Sequence, residues 1–546
     1  MILLLTLFCP SAMAGPARLE LPRRWVYLAT NLLDAKQADD AITVVRRAAK
    51  AGFNGAVLAD SKFGRLGELD PKYFRNADRL KDAAREVHVD LIPAVCPIGY
   101  SESVLSQDPD LAEALPVRDA LFVVKDGEAR CIADPAVSLD GGDFAKGSGW
   151  SWKDDAVVVE GGVARVTDPK GNARISWKVR VAPFRQYHVA VRVKTADFRG
   201  DARIQAIGAT AGLGKRPLVH SNLGVKPTQD WTEHHAVFNS LDQTEVNVYL
   251  GQWGDASGTL WWDDARIEEV GFLNVVRRES APVVVRVDGG GGGGAGATLR
   301  EGRDFEPVVD PRMGTVPWRG GYEVWHEAPA LRLKTKRADG TRLRVSFEHA
   351  ITVGDGQVMI CPSEPKTLDL LRDHVRRVHA AFGAKAYFLQ HDEIRVLGWD
   401  AACAKTKRTC GAILAENVRA CARIVREIAP KAELLVWNDM FDPNHNAHDG
   451  YYLVRDDLAG SWEGLDKDVI VVPWYFGRRK ESLAFFAGRG HRMLVAGYYD
   501  GDPVANARGW LEAAHGAPGV LGIMYTTWVH RYDDLERFAR AVDDAR

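Results

Sequence analysis

The first hundred residues alternate short apolar runs with amphipathic helical segments. The apolar runs at 25–29, 55–59 and 89–95 are separated by helical patterns over 38–51 and 76–87. Continuous apolar strands that alternate with helices are typical of a parallel sheet covered on both faces. Three strand–helix units are therefore predicted before residue 100.

The pattern changes between residues 116 and 357. Alternating apolar and polar positions replace helical periodicity, most clearly in segments 174–181, 187–193 and 245–250. Such period-two alternation between turn residues is typical of antiparallel sandwiches. A glycine run over 289–294 cannot hold one backbone conformation cheaply, so it predicts a flexible loop. We therefore predict two β-rich modules, over about 130–272 and 273–350.

After residue 357 the strand–helix alternation returns. Five apolar runs follow one another, at 387–390, 433–437, 469–474, 492–496 and 521–527. Together with the first three they make eight units, which predict an α/β protein with a closed (β/α)8 TIM barrel. The barrel is expected over 22–115 and 357–546, interrupted after its third strand by a jelly-roll-like β-sandwich and a small β-rich module. Catalytic residues of such barrels lie at the carboxyl ends of the strands.

Composition and charge narrow the class of partner. The net charge of −2 over 546 residues gives no general attraction to nucleic acid or to anionic membranes. The 16 tryptophans are unusual, because Trp supplies flat surfaces on which the C–H faces of sugars stack. Large apolar cores are the alternative explanation. A glycan or glycoconjugate is the partner we expect.

The first fourteen residues have the pattern of a signal peptide. A short apolar run ends in Ala12-Met13-Ala14, the small-x-small pattern of a cleavage site. No later stretch reaches about 18 apolar residues, which a membrane-spanning helix needs. We therefore expect a secreted or periplasmic protein with no membrane span.

Six cysteines remain once Cys9 is removed with the signal peptide. Disulfides are allowed in an exported protein, and Cys403 and Cys410 flank a short basic loop across which they can pair. None of the six shows C-x-x-C spacing, so we expect no zinc site, and no metal is expected in the barrel. No cofactor is expected for catalysis.

Acidic and aromatic residues follow the predicted strands of the second barrel half. They form the groups His391-Asp392-Glu393, Trp437-Asn438-Asp439, Trp474-Tyr475, Tyr498-Tyr499-Asp500 and Trp528. Because the strand ends meet at one mouth of the barrel, these side chains are expected to form a cup for a sugar ring with acids at its base. Packing beneath the loops is the alternative role for any single ring.

Asp392 and Glu393 are adjacent, and neighbouring side chains on a strand point to opposite faces. They therefore do not form the usual opposed pair of glycosidase carboxylates unless the strand end bends. One acid can protonate the leaving oxygen while the other does something different, such as orienting a substrate group.

The segment 360–375, followed by 385–393 with its terminal Asp392-Glu393, resembles glycoside hydrolase family 20. That family has a similar strand and helix before a histidine-x-glycine-glycine-Asp-Glu signature. The resemblance implies a retaining β-N-acetylhexosaminidase on a (β/α)8 barrel, in which the substrate's acetamido oxygen is the nucleophile. Glu393 would be the general acid/base, and Asp392 would orient the 2-acetamido group. Such substrate assistance needs only one protein acid at the bond.

The resemblance also implies roles for the aromatic residues at the strand ends. Trp437, Trp474 and Trp528 resemble the family's pocket walls, and Tyr498 with Asp500 resembles its Tyr-x-Asp. His391, Asp439 and Tyr475 complete the expected substrate-binding set. The sequence departs from the family pattern at four places. His391 replaces the glycine before the Asp-Glu pair, and no arginine matches the one that the family has after the first strand. Pro97-Ile-Gly-Tyr100 replaces Pro-Gly-His after the third strand, and His530 replaces the acidic residue after the last tryptophan.

The insert carries a separate resemblance. Segment 258–268 looks like the closing strand of carbohydrate-binding jelly-roll modules, which often hold a structural calcium. Asp263 or Asp264 would be its ligand, since Ca²⁺ prefers oxygen. A spacer role is the alternative for this module.

Three functions are consistent with these features. The first is the substrate-assisted exo-glycosidase described above. The second is a non-catalytic carbohydrate-binding barrel, which the departures from the family pattern would favour. The third is a different barrel hydrolase that uses Asp392 and Glu393 on another sugar. If substrate assistance does not operate, a distant carboxylate such as Asp439 or Asp500 would have to be the nucleophile.

Overall fold

The computed structural model describes residues 19–289, 296–313, 318, 320–354 and 356–545. The expected signal peptide over residues 1–14 and nearly all of the glycine run lie outside the described residues. Within the described ranges, none of the helices combines the length and the apolar character that crossing a bilayer would require.

The chain begins with three strand–helix units. Their elements are β1 (Arg23–Thr30), α1 (Ala35–Lys50), β2 (Gly55–Asp60), α2 (Pro71–Glu86), β3 (Asp90–Val95) and a short α3 (Glu102–Leu105). Asp34 and Asp70 start α1 and α2, because each carboxylate accepts a backbone N–H from the first turn of its helix. The predicted helices therefore begin a few residues earlier than their apolar pattern indicates.

The insert consists of strands alone within the described residues between Ala114 and Ala350. These strands are β4 (Ala114–Lys125), β5 (Glu128–Cys131), β6 (Trp152–Lys153), β7 (Val158–Glu160), β8 (Val163–Thr167), β9 (Ala173–Arg180), β10 (Gln186–Gly208), β11 (Pro217–Asn222), β12 (Gln229–Asn239), β13 (Glu245–Val270), β14 (Val284–Val287), β15 (Thr298–Leu299), β16 (Leu331–Arg332) and β17 (Arg342–Ala350).

Two long strands, β10 and β13, make the sandwich. They pair with each other along nearly their whole length, with register shifts around Ala196–Asp201 where both bend. On one side of the bend they pair with β12 and β8, and on the other side with β11 and β9. The bend thus places the two halves of each strand in different layers, with a shared apolar core between them.

The second module surrounds the sandwich in sequence. Its six-stranded sheet has the order β15-β14-β17-β4-β5-β16. Strands β4 and β5 come before the sandwich and β14–β17 come after it, so the sandwich is inserted within this sheet. The predicted division into 130–272 and 273–350 places β4 and most of β5 outside the module to which they belong.

The second barrel half follows the insert. Its elements are α4 (Pro365–Phe382), β18 (Ala386–Leu389), β19 (Val396–Leu397), α5 (Ala401–Lys405), α6 (Cys410–Ile428), β20 (Glu433–Trp437), β21 (Leu453–Val454), β22 (Ile470–Val472), α7 (Arg479–Gly488), β23 (Met493–Tyr498), α8 (Pro503–His515), β24 (Val520–Thr526) and α9 (Leu535–Ala545).

The predicted (β/α)8 barrel is confirmed. Eight parallel strands close in the order β1-β2-β3-β18-β20-β22-β23-β24, with the insert between the third and the fourth. Apolar side chains fill the barrel interior, among them Val57, Phe388, Leu435 and Met524. The pairing of β3 with β18 closes the barrel across the insert.

The six described cysteines carry no disulfide. The suggested pairing of Cys403 with Cys410 is therefore not formed. Cys403 lies instead beside Cys361, and their sulfur atoms are 3.8 Å apart. The sequence could not indicate this neighbour, because Cys361 follows the insert and Cys403 lies on α5, 42 residues later.

Candidate active site

A cavity of about 400 Å³ opens at the carboxyl ends of the barrel strands. Residues on or just after seven of the eight barrel strands line it: Tyr27, Tyr100, Gln390, Asp392, Glu393, Trp437, Trp474, Tyr499 and Trp528. The structure thus brings the predicted acids together with the three predicted tryptophans.

Aromatic rings form two connected walls of this pocket. Tyr27, Trp437 and Trp528 make a triangle whose ring centroids are 5.2–5.8 Å apart. Trp474 and Tyr499 are stacked at 5.3 Å, and Tyr499 meets Trp528 edge-on at 5.7 Å. Flat apolar walls around a few polar groups are typical of small-ligand sites, and they suit the C–H face of a sugar ring.

The carboxyl group of Asp392 lies in the pocket with one oxygen that makes no hydrogen bond. Its Oδ1 atom is buried and makes no hydrogen bond, and the buried indole N–H of Trp437 is also unpaired. Burial, followed by the charges of Asp439 and Glu393, raises the pKa of Asp392 well above its usual range. Since buried polar groups are normally paired, this acceptor and this donor are available to a polar ligand.

Glu393 lies at the edge of the pocket in a constrained conformation. Its backbone φ is +47°, which is unfavourable for a residue with a Cβ. The hydroxyl of Tyr100 donates a short hydrogen bond to Oε2, and Nη2 of Arg395 lies 2.7 Å from the same oxygen. The left-handed turn ends the strand and separates the directions of the Asp392 and Glu393 side chains.

Two residues distant in sequence hold this turn. A Cβ at Gly99 would lie 1.9 Å from the carbonyl oxygen of Asp392, so only glycine fits there. The amide of Gln357 donates to the carbonyl oxygens of Gly99 at 2.8 Å and Glu393 at 2.9 Å, and its oxygen accepts from Arg395. The third strand end and the chain returning from the insert therefore both fix the position of the acids.

Asp439 lies behind the acids rather than in the pocket wall. Its Oδ2 accepts the backbone N–H of Glu393 at 2.8 Å and the side-chain amide of Asn446 at 3.0 Å. Burial raises the pKa of Asp439 to about 7, and the negative charge of Glu393 acts in the same direction.

Besides Asp439, four predicted site residues lie outside the pocket lining. Tyr498 is buried behind it, stacks on Tyr525 and donates to Asp534. Asp500 accepts from the hydroxyl of Thr527 and from the backbone N–H of Trp528, so it positions that tryptophan. The remaining two are His391, which is buried against Asn417, and Tyr475, which stacks on His445.

The suggested calcium ligands lie at the edge of the sandwich. Asp264 pairs with Arg192 at 3.2 Å, and Asp263 accepts the backbone N–H of Asp264. Among the described residues, no further acidic, His or Cys side chain joins them in a group of three.

Several lining residues were not selected from the sequence. Tyr499 occupies the place expected for Tyr498, because three successive residues, 498–500, have positive φ and reverse the strand alternation. Tyr27 and Gln390 share a side-chain hydrogen bond at the pocket floor. Tyr100, in the Pro97-Ile-Gly-Tyr100 loop, was visible only as a departure from the family pattern.

A second cavity of about 560 Å³ adjoins the pocket. Tyr100 lines both cavities, and Arg395 lines the second one. Its opposite wall belongs to the sandwich, from Arg203 and from the strand β11 with Leu218 and His220. Nη1 of Arg216 donates to the carbonyl oxygen of Val454 at 2.7 Å, which attaches this edge of the sandwich to the barrel.

No family model matches this chain, and no curated protein matches it. The chain is similar to a rhamnosidase from Novosphingobium sp. PP1Y, at 10% identity over 96% of this chain and 58% of that one, with a TM-score of 0.33. It is similar to a Flavobacterium johnsoniae chitobiase, at 16% identity over 34% of this chain and 30% of that one, with a TM-score of 0.26. It is also similar to a family 4 carbohydrate-binding module, at 15% identity over 27% of this chain and 94% of that one, with a TM-score of 0.18. These are distant similarities of fold, and membership of glycoside hydrolase family 20 stays a prediction.

Proposed function

We propose that this protein is a retaining glycoside hydrolase that removes a terminal β-linked 2-acetamido sugar. Glu393 is assigned as general acid/base and Asp392 as the group that orients the acetamido substituent. The observation that carries the proposal is the unpaired, buried Oδ1 of Asp392 within a box of aromatic rings. A sugar that carries an amide N–H supplies the hydrogen-bond donor which this oxygen lacks.

The proposed mechanism uses one protein carboxyl group, Glu393, at the glycosidic bond. Glu393 gives its proton to the glycosidic oxygen while the acetamido oxygen attacks the anomeric carbon, so that the C–O bond breaks and an oxazolinium ion forms, which keeps the amide N–H. Glu393 then removes a proton from water, and the resulting attack on the anomeric carbon reopens the oxazolinium ion to the acetamido sugar with net retention. Asp392 accepts the acetamido N–H and stabilises the positive charge that develops on the nitrogen.

Tyr100 and Arg395 support the acid role by contacting one oxygen of Glu393. Both contacts are made to Oε2. The proposal assigns proton transfer to the other oxygen, Oε1. Because these two residues stand between the pocket and the adjoining cavity, the leaving-group sugar is assigned to that cavity.

The test compares aryl N-acetyl-β-hexosaminides with the matching aryl β-glucosides. Wild-type protein should hydrolyse the acetamido substrates preferentially, with retention seen by NMR and inhibition by an oxazoline-mimicking thiazoline. Glu393→Gln should lower kcat about 10²–10⁴-fold, the range typical for a general acid. Asp392→Asn should lower it about 10²–10³-fold, as for loss of a transition-state electrostatic partner.

Glu433→Gln is the matched control. This carboxylate lies at the opposite mouth of the barrel, where it pairs with Arg23 and Arg492. Its replacement should leave kcat unchanged. Binding of N-acetylglucosamine in calorimetry without turnover of any aryl glycoside would instead establish a non-catalytic sugar-binding barrel.

One observation favours a second candidate, a hydrolase for sugars without an acetamido group. The side chain of Asp439 is buried next to Glu393 and contacts Trp474 of the pocket wall. A conventional retaining mechanism would use Asp439 as nucleophile once it is ionised and turned from its place behind the acids into the pocket. Turnover of the glucoside alone, abolished by Asp439→Asn, would establish that mechanism. Asp500 is not suited to this role, because both of its oxygens bind the loop of Trp528.

A further inference from the structure

Four side chains with metal-binding atoms meet away from the pocket, where the insert joins the barrel. Glu113, Cys361, Asp400 and Cys403 each bring one ligand atom within 4.8 Å of the others, and all four residues are buried. They come from three segments, and no two of them show a motif spacing in the sequence.

The fold brings these segments together through backbone hydrogen bonds. The chain leaving the barrel and the chain returning to it run antiparallel, with Glu113 N–H donating to the Met359 carbonyl and Cys361 N–H donating to the Leu111 carbonyl, both at 2.8 Å. Asp400 caps α5 by accepting the N–H of Cys403 at 2.7 Å. These hydrogen bonds therefore hold the three segments side by side, and the side chains of Glu113, Cys361 and Cys403 contact one another there.

Two separations between the ligand atoms fit a tetrahedral ion, and the others lie within 4.8 Å. Two thiolates at about 2.3 Å from a tetrahedral Zn²⁺ are about 3.8 Å apart. The sulfur atoms of Cys361 and Cys403 are separated by 3.8 Å. A carboxylate oxygen and a thiolate on such an ion are about 3.6 Å apart, and Oε2 of Glu113 lies 3.4 Å from the sulfur of Cys403. A disulfide would need the sulfurs at about 2.05 Å.

The surroundings also hold several buried acidic groups around a single cation. Arg278 contacts three carboxyl groups, with Nη2 2.6 Å from Asp400, Nε 3.2 Å from Glu364 and Nη2 3.8 Å from Glu348. The Oε2 atom of Glu348 is buried and has no hydrogen-bond partner. Glu113 and the two cysteines are buried beside them. A bound divalent cation would displace the protons of such ligand groups.

We propose that Glu113, Cys361, Asp400 and Cys403 bind a structural Zn²⁺ ion. Two sulfur and two oxygen ligands in a closed, buried arrangement suit zinc better than calcium or magnesium. Three of the ligands also have hydrogen-bond partners that would orient them toward an ion. Arg278 binds Asp400, the N–H of Gly398 binds Glu113, and the hydroxyl of Ser363 lies 3.1 Å from the sulfur of Cys403.

Such an ion would join both linkers of the insert to the loop that follows Glu393. That loop contains Arg395 and runs through Gly398 to Asp400, so the ion would stabilise one wall of the candidate active site from behind. The proposal does not depend on the proposed function, since metal content is measured without any substrate.

The experiment uses the full chain, purified without added metal or chelator and again after addition of Zn²⁺. Elemental analysis should give about one zinc per chain in the wild type, which drops below about a tenth in Cys361→Ser/Cys403→Ser. Replacement by Co²⁺ should produce a thiolate-to-metal charge-transfer band in the wild type. Because this band reports thiolate binding in the wild type itself, the test does not depend on whether the double variant folds.

Cys410→Ser and Cys421→Ser are the matched controls, since both thiols are buried but lie outside the group of four. They should retain full zinc and the cobalt band. A Cys361–Cys403 disulfide found by mass spectrometry in metal-free protein would overturn the proposal. Free thiols with no bound zinc after reconstitution, or equal zinc in the double variant, would overturn it as well.

Discussion

The backbone N–H of Glu393 donates a 2.8 Å hydrogen bond to Oδ2 of Asp439. This bond joins the ends of two adjacent barrel strands, β18 and β20, directly behind the candidate acids. It also supports the positive φ of Glu393, because the amide that the left-handed turn directs inward finds a buried acceptor. Asp439 therefore positions the acid/base, and the pocket itself is left to Asp392 and Glu393.

Gly99→Ala should shift the positions of Asp392 and Glu393 without changing either carboxyl group. The new Cβ would meet the Asp392 carbonyl oxygen at 1.9 Å, so the strand end has to move. We expect a loss of about 1–3 kcal/mol in unfolding free energy from overpacking, and a fall in kcat of about 10²-fold from a shift near one ångström. Gly488→Ala, at an open helical position, should change neither quantity. Denaturant titration and kinetics measure both, and full activity in Gly99→Ala would contradict the described turn.

Tyr499 and Tyr498 should respond to substitution in opposite ways. Tyr499→Ala removes a pocket ring and should lower kcat/KM about tenfold or more, since aromatic contacts contribute about 1 kcal/mol beyond burial. Tyr498→Phe loses the hydroxyl contacts with Asp534, Tyr525 and Arg531 behind the pocket, so it should cost about 1 kcal/mol of stability or more and leave kcat/KM unchanged. Steady-state kinetics and thermal melting separate the two outcomes. The reverse result would restore the sequence-based assignment of Tyr498.

Trp437→Phe should weaken substrate binding more than it weakens the fold. The ring is kept, but the unpaired indole N–H within the pocket is lost. If that group donates to the sugar, kcat/KM should fall about 5–30-fold, which corresponds to about 1–2 kcal/mol. Trp510→Phe is the control, because its indole N–H is also buried and unpaired but lies on α8. Equal effects of the two substitutions on kcat/KM would show that Trp437 acts only in packing.

Asp392→Asn should change how stability depends on pH. Burial raises the pKa of Asp392 above its ordinary value of 3.8, so the unfolded chain loses this proton at a lower pH than the folded protein does. Wild-type stability should therefore fall as pH rises above about 4, until the folded-state pKa is reached. The amide does not titrate, so the variant should gain stability over the wild type from pH 5 to pH 8. Urea titrations at the two pH values provide the check, and a constant difference would contradict the raised pKa.

The barrel itself was accessible from the sequence. Apolar runs of four to seven residues between amphipathic helices leave few alternatives to a parallel sheet, and eight such units close. The same reasoning placed Asp392, Glu393 and three tryptophans at one mouth, because parallel strands all end on the same side. The nested position of the sandwich was not accessible, since β4 and β5 pair with strands more than a hundred residues later.

The choice between neighbouring residues also needed the tertiary structure. Strand alternation predicts which side chains point into the barrel mouth only while the backbone stays extended. Residues 498–500 have left-handed backbone conformations, and Tyr499 lines the pocket in place of Tyr498.

The order of strands and helices, the closed barrel and the group of acids and rings at its mouth follow from local periodicity along the chain. The unpaired atoms of the pocket, the way Gly99 and Gln357 hold the acids, and the meeting of Glu113 with Cys361, Asp400 and Cys403 could be seen only in the folded molecule. Those arrangements depend on contacts between distant segments, whose distances no local pattern encodes.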